Sequence, residues 1–227
     1  MWIFPRDRRL STPAGTRNHR RIELGAEEME GRRLLSGSGA LIVLSGSTVE
    51  VVGTNLGDTG LVTQKNGSVE VQVSNSQGSD DVLFPASAVS AIDYFGGSGS
   101  NTFTNATSLT GYLFGGSGNN VLNGGSGMDY LFASSGGQNV LDAGSGSEYL
   151  FAFGSGTNSL NGGSGYDTIY TFSGVNHVVG GTGSSFIIAV GGQNTIDGGP
   201  GNSIIYSFSS NDVIVPNKNE TVVHIGY

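Results

Sequence analysis

Three histidines, His19, His177 and His224, are the side chains that ordinarily titrate near neutrality, and none stands at motif spacing from both a nucleophile and a carboxylate. The chain therefore shows no recognisable catalytic constellation. The adjacent acids Asp80 and Asp81 read as loop solvation rather than as a glycosidase pair, because catalytic carboxylates flank a sugar in a cleft with an aromatic or sugar-binding wall. There is no cysteine, which excludes disulfides and thiolate sites. One set of acids does recur: Asp129, Glu148 and Asp167 lie nineteen residues apart and are followed by Ser185 and Ser203 at intervals of eighteen. Their chemistry depends on what that spacing places beside them.

The spacing belongs to a nine-residue phrase. Counted from Gly115, the fourth residue is glycine from Gly118 to Gly201, with Ser210 breaking the pattern, and the eighth is aliphatic from Leu122 to Ile214. A short strand puts one aliphatic side chain inward between two outward neighbours, and a glycine supplies the turn. Glycine pairs fall on the same period, so they are turn residues and not a phosphate-binding fingerprint. Gly124, Ala143, Gly162, Gly180 and Gly198 are eighteen or nineteen residues apart, which makes two nonapeptides one coil. The expected fold is all-β: a parallel β-roll or β-helix solenoid of two sheets, with about 18–19 residues per coil and rungs about 4.8 Å apart.

The phrase resembles the haemolysin-type, or RTX, calcium-binding repeat G-G-x-G-x-D-x-U-x, U being a large aliphatic residue. Gly124-Gly125-Ser126-Gly127-Met128-Asp129-Tyr130-Leu131-Phe132 and Gly162-Gly163-Ser164-Gly165-Tyr166-Asp167-Thr168-Ile169-Tyr170 carry it best. The copies starting at Gly96, Gly115, Ala143, Gly180 and Gly198 are more degenerate. The resemblance implies that the sixth-position acid joins glycine-loop carbonyls around Ca2+ between coils. It places Asp129, Glu148 and Asp167 as ligands of one or two weakly held ions; Ser185 and Ser203 lack the charge. The alternative is that these acids are solvated loop residues left from a metal-binding ancestor.

The two sides of each coil differ. On the first, position six holds Asn120, Asn139, Asn158, Asn176 and Asn194, then Asp212, an arrangement suited to an amide ladder along the axis. The outer residues here, such as Asn123, Asp142, Asn161 and Asp197, are mostly polar and should face water. On the second side, the residues flanking the inward Leu131, Leu150, Ile169, Ile187 and Ile205 are aromatic. Tyr112, Phe114, Tyr130, Phe132, Tyr149, Phe151, Phe153, Tyr170, Phe172, Phe186, Tyr206 and Phe208 should line one outer face. Such a face exceeds the apolar patch that soluble monomers usually expose. Either the cap, the N-terminal segment or a locally wider core covers it, or it associates with another copy or a partner sheet; carbohydrate stacking on the tyrosines is a third use. Regular paired threonines of an ice-binding face are absent.

The net charge of −8 hides an asymmetry, because all eight arginines precede Ser36 and only Lys65 and Lys218 follow it. An acidic body so poor in cations has no means of neutralising phosphates, so no nucleic-acid partner is expected. No run is long and apolar enough for a transmembrane segment. Residues 1–35 read as a polar, Arg-rich sorting or processing segment, flexible or with a short helix over Ala26 to Leu35. Ile22-Glu23-Leu24 followed by Arg32-Arg33-Leu34-Leu35-Ser36 resembles the L-E-x-L-E-x-R-x-L-L-S segment of planctomycete extracellular proteins, which implies an extracellular or cell-surface location. Residues 36–95 are expected to form an antiparallel β cap, with a hairpin turn at Asn66-Gly67, residues 96–215 the solenoid, and 216–227 a C-terminal cap strand. Three functions fit: an exported, non-catalytic surface, matrix or adhesive protein; a calcium-responsive module that folds on export; and a polysaccharide-acting β-helix enzyme.

Overall fold

The structure, a computed structural model, describes residues 19–23, 34–35, 37–134 and 136–225. Its strands form two sheets of eleven. From Ala91–Phe95 onward, successive strands alternate between the sheets, and each pairs in parallel with the strand one coil away. Leu131 lies beside Leu150, Leu150 beside Ile169, and Ile187 beside Ile205. The facing sheet repeats this with Leu122, Leu141, Leu160, Val178 and Ile196. All of these side chains are fully buried. Two aliphatic columns meeting between the sheets are the core that the nonapeptide period predicts.

The other inward positions are small. Ala133, Ala152, Thr171, Ala189 and Ser207 are buried where the coil is narrow. The turns are tighter still: a Cβ on Gly165 would run into the carbonyl of Gly146 in the coil before it. Only hydrogen side chains let turns stack at strand spacing.

Toward the N-terminus the parallel rule gives way to hairpins. Leu41–Ser45 and Thr48–Val52 pair antiparallel, and the second lies parallel on Ala91–Phe95. Thr59–Lys65, Ser68–Ser74 and Ser79–Pro85 form a meander whose first strand lies parallel on Asn101–Ala106. The turn at Asn66-Gly67 has positive φ at both residues, 51° and 77°, as a type I′ hairpin requires. Val49, Val51, Val62, Val69, Val71 and Phe84 extend the core into this antiparallel cap. Tyr94 stacks on Phe103 at 4.1 Å where the cap meets the first coil.

Asp80 is not a loop residue. It is buried in the strand Ser79–Pro85, where its carboxylate accepts the amides of Gly37 and Ser38 at 2.6 and 2.7 Å. Of residues 1–35, His19–Glu23 pairs parallel with Ser79–Pro85, and Leu34–Leu35 pairs antiparallel with Leu41–Ser45. The remaining residues of the expected helix over Ala26 to Leu35, and most of the sorting-type motif, lie outside the described residues. At the other end, Glu220–His224 adds a parallel strand to Ser203–Ser207.

Candidate functional site

Asp129, Glu148 and Asp167 stand at the starts of neighbouring strands or just before them, where each glycine turn hands over to its strand, and all three are fully buried. Strand alternation fixes this: the residue two before an inward aliphatic is inward as well. Asp129 is well held. Gly125 N–H donates to Oδ2 at 2.7 Å and Asn105 Nδ2 to Oδ1 at 2.8 Å, and these bonds partly offset the upward push of burial on its pKa. Glu148 is not held in this way. Both of its carboxylate oxygens, and Oδ2 of Asp167, are buried without a hydrogen-bond partner. Burial, then the neighbouring Asp167 and Asp129 carboxyls, push Glu148 up to about 9. Burial also raises Asp167, while the neighbouring Glu148 carboxyl, and then Glu148 N–H donating to its Oδ1 at 3.2 Å, work against that rise.

Such oxygens fit a hard cation. Calcium seeks six to eight of them, and two buried carboxyl groups between stacked turns, flanked by turn carbonyls, bring several together. Among the described residues no three acidic or histidine side chains converge on one point, so an ion here would draw on carboxylates and turn carbonyls together.

The column continues at both ends. Gly111 stands beside Asp129 in the preceding coil and carries no side chain, so Asn105 fills that place as an amide lid. At the far end Ser185 and Ser203 turn their hydroxyls onto the carbonyls of Gly180 and Gly198, both at 2.6 Å. Glu220 then restores an acid beside Ser203, and its Oε2 is again buried without a partner. The chain loses its nonapeptide phase before Glu220, which hides this acid from a reading by period.

The opposite turns carry the expected amide ladder. Nδ2 donates to the next Oδ1 from Asn120 to Asn139, Asn158, Asn176 and Asn194 at 3.0, 2.9, 2.8 and 2.8 Å. Asn101 precedes the row at 3.1 Å, and Asp212 ends it by accepting from Asn194 at 2.6 Å.

All twelve aromatic residues expected on the outer face lie there, half-buried or exposed. They form columns rather than a scatter. Tyr112, Tyr130 and Tyr149 stack at 4.8 and 4.9 Å; Phe95, Phe114, Phe132, Phe151 and Tyr170 stack at 5.2, 4.5, 4.8 and 5.3 Å. Phe153 and Phe172 begin a third column at 4.7 Å. Phe186 and Tyr206 leave the pattern and meet edge to face, because Thr168 and Ile188 interrupt the stack between them and the other rings. Sequence reasoning omitted Phe95, which precedes the nonapeptide frame.

A two-sheet parallel solenoid with glycine turns, a buried acid column on one side and an amide ladder on the other is a β-roll of the repeat class. The family model of the RTX calcium-binding nonapeptide repeat (4 copies) matches residues 107–137, 154–187 and 188–217. These segments, 95 of the chain's 227 residues, are similar to RTX repeats, a family whose repeats bind calcium and are typically non-catalytic and found in secreted proteins. Glu148 falls in the unmatched interval, in the degenerate copy that begins at Ala143. No curated protein and no solved structure matches the chain. No helix among the described residues is long and apolar enough to cross a membrane.

Proposed function

We propose that this chain is the rigid solenoid of an exported, non-catalytic structural protein of a cell surface or matrix, with the aromatic side as its contact surface and Ca2+ held weakly in the acid column. The observation that carries this reading is the contrast between the faces. One sheet presents polar residues such as Asn123, Asp142 and Asn161 to water, whereas the other presents ordered rows of rings. Asp129, Glu148 and Asp167 would hold the ion, which supplies positive charge between coils that otherwise bring carboxylates together. Nucleic acid is not a partner on this reading, because thirteen acids and only two lysines follow Ser36.

Protease shaving of intact producing cells tests placement: loss of the chain from intact cells supports the reading, and protection until lysis overturns it. The orphaned oxygens of Glu148 and Asp167 favour a second reading, a module that folds when it reaches calcium outside the cell. Circular dichroism with calcium and with chelator separates the two. Full β signal and an unchanged melting temperature without the ion would remove the switch. The acids of the column are buried in turns rather than facing a groove, so a polysaccharide-cleaving role gains no support from them.

A further inference from the structure

We infer that the aromatic face is the interface with a second copy of this chain, packed sheet on sheet about a two-fold axis that runs along the strands, so that the two solenoid axes are antiparallel. This deepens the contact-surface reading above and rests on it.

The rings determine what can sit on the face. Within the columns they lie parallel, 3–5° apart from Phe114 through Phe132 and Phe151 to Tyr170, so each ring face is covered by its neighbour and the edges point outward. A sugar stacks on ring faces, and a cation seeks the negative face, not the positive edge. Neither finds its surface here. A ribbed apolar face with a strand-spaced period is matched over many rungs only by another surface of the same period. A second copy supplies one, at the face-to-face distance of about 10 Å usual for packed sheets.

Charge points to the same partner. On the six strands from Thr110–Phe114 to Ser203–Ser207 no outward position holds a charged residue; Asp129 and Asp167 are buried inward. For a body with thirteen acids and two lysines, this is a face on which two copies can meet without bringing carboxylates together. Six strands at about 4.8 Å, crossed by three outward columns about 6.7 Å apart, project roughly 600 Å². The corrugation of the side chains takes the accessible area toward the ~800 Å² per partner of a standard interface.

The orientation follows from a notch. Thr168 stands in the tyrosine column next to Tyr149 and beside Phe186, one small residue among rings. A two-fold along the strands, passing between Phe151 and Tyr170, keeps each column over its own copy and sets Tyr149 of each chain over Thr168 of the other. Parallel axes would instead gather Glu50 and Asp93, which head the tyrosine column, at one end of the pair.

Sedimentation of the full chain, with calcium and with chelator, should give twice the monomer mass. Phe151→Ser with Tyr170→Ser should return the mass to that of a monomer while the β circular dichroism persists, and Val140→Ser on the polar face should leave the dimer intact. Because the chain has no cysteine, a bifunctional thiol cross-linker spanning about 10 Å reports proximity between single-cysteine variants across the packed sheets. An equimolar mixture of Phe114→Cys and Tyr206→Cys should cross-link, and Phe114→Cys alone should not. A monomeric wild type, a dimer unaffected by the double substitution, or self-cross-linking of Phe114→Cys would overturn the inference. Because none of these outcomes depends on where cells place the protein, the dimer can fail without touching the export reading, and the reverse.

Discussion

Replacing Asn158 by alanine tests the amide ladder at its middle. Asn158 is about 1% exposed; its Oδ1 accepts from Asn139 Nδ2 at 2.9 Å and its Nδ2 donates to Asn176 Oδ1 at 2.8 Å. The substitution removes both bonds and strands their partners. Asn139 Nδ2 keeps only a 3.5 Å contact to Gly137 O, and Asn176 Oδ1 is left in a dry column. Each net hydrogen bond contributes about 1 kcal/mol, and each stranded group costs about 1–3 kcal/mol, so the loss should be about 3 kcal/mol. Urea unfolding measures it, and hydrogen exchange of the flanking strands Gln138–Asp142 and Val175–Val179 localises it. The row has a direction: every amide donates toward the C-terminus, and Asp212, which only accepts, can stand at the end. Asn158→Asp should therefore cost at least as much as alanine, whereas Asp212→Asn should be mild. A loss for Asn158→Ala below about 0.5 kcal/mol, no larger than that of an exposed neighbour such as Ser159→Ala, would show that the ladder does not stabilise the stack.

Further expectations concern the acid column and the turns. Glu148 keeps its proton in the folded chain up to a pKa of about 9, against 4.5 ordinarily, so between these values the folded state binds a proton that the unfolded state releases. In chelator, stability should therefore be greatest at low pH and fall as pH rises through that window; Glu148→Gln should flatten the profile in denaturation followed at pH 5 to 9. Calcium held at Glu148 would compete with that proton, so its affinity should rise with pH, and isothermal titration should show weaker binding in Asp167→Asn and in Glu148→Gln. Gly165→Ala drives a Cβ into the Gly146 carbonyl and should lower stability by about 1–3 kcal/mol in urea, with the loss confined to neighbouring coils in hydrogen exchange.

Periodic features were legible because the physics repeats them. One glycine and one aliphatic residue per nonapeptide specify a turn and an inward side chain, and alternation then assigns the outward rings and the inward asparagines without further information. Even the terminal Asp212 follows from the count. Asn105 and Glu220 escaped it. Asn105 reaches Asp129 across the gap left by Gly111, a contact made by a coil-to-coil step of twenty-four residues. Glu220 meets Ser203 after seventeen residues, one short of the shortest regular coil. Asp80 was misplaced because an acid pair next to Ser and Gly looks like a loop, while its partners, the amides of Gly37 and Ser38, are more than forty residues away. The ring stacking itself, with edges rather than faces outward, depends on rotamers that no spacing records.

A parallel stack also behaves unequally under load. Tension applied along the solenoid axis falls on the coils in series, so the molecule parts where two neighbours adhere least, while tension along the strands is shared in shear across a whole sheet. In the joint between the coil of Glu148 and Asn158 and the coil of Asp167 and Asn176, one side brings two buried carboxyls together, whereas the other is closed by an amide-to-amide hydrogen bond of 2.8 Å. A divalent ion on the acidic side would thus act as a rivet on that half of the joint, tying its tensile strength to the surrounding calcium concentration.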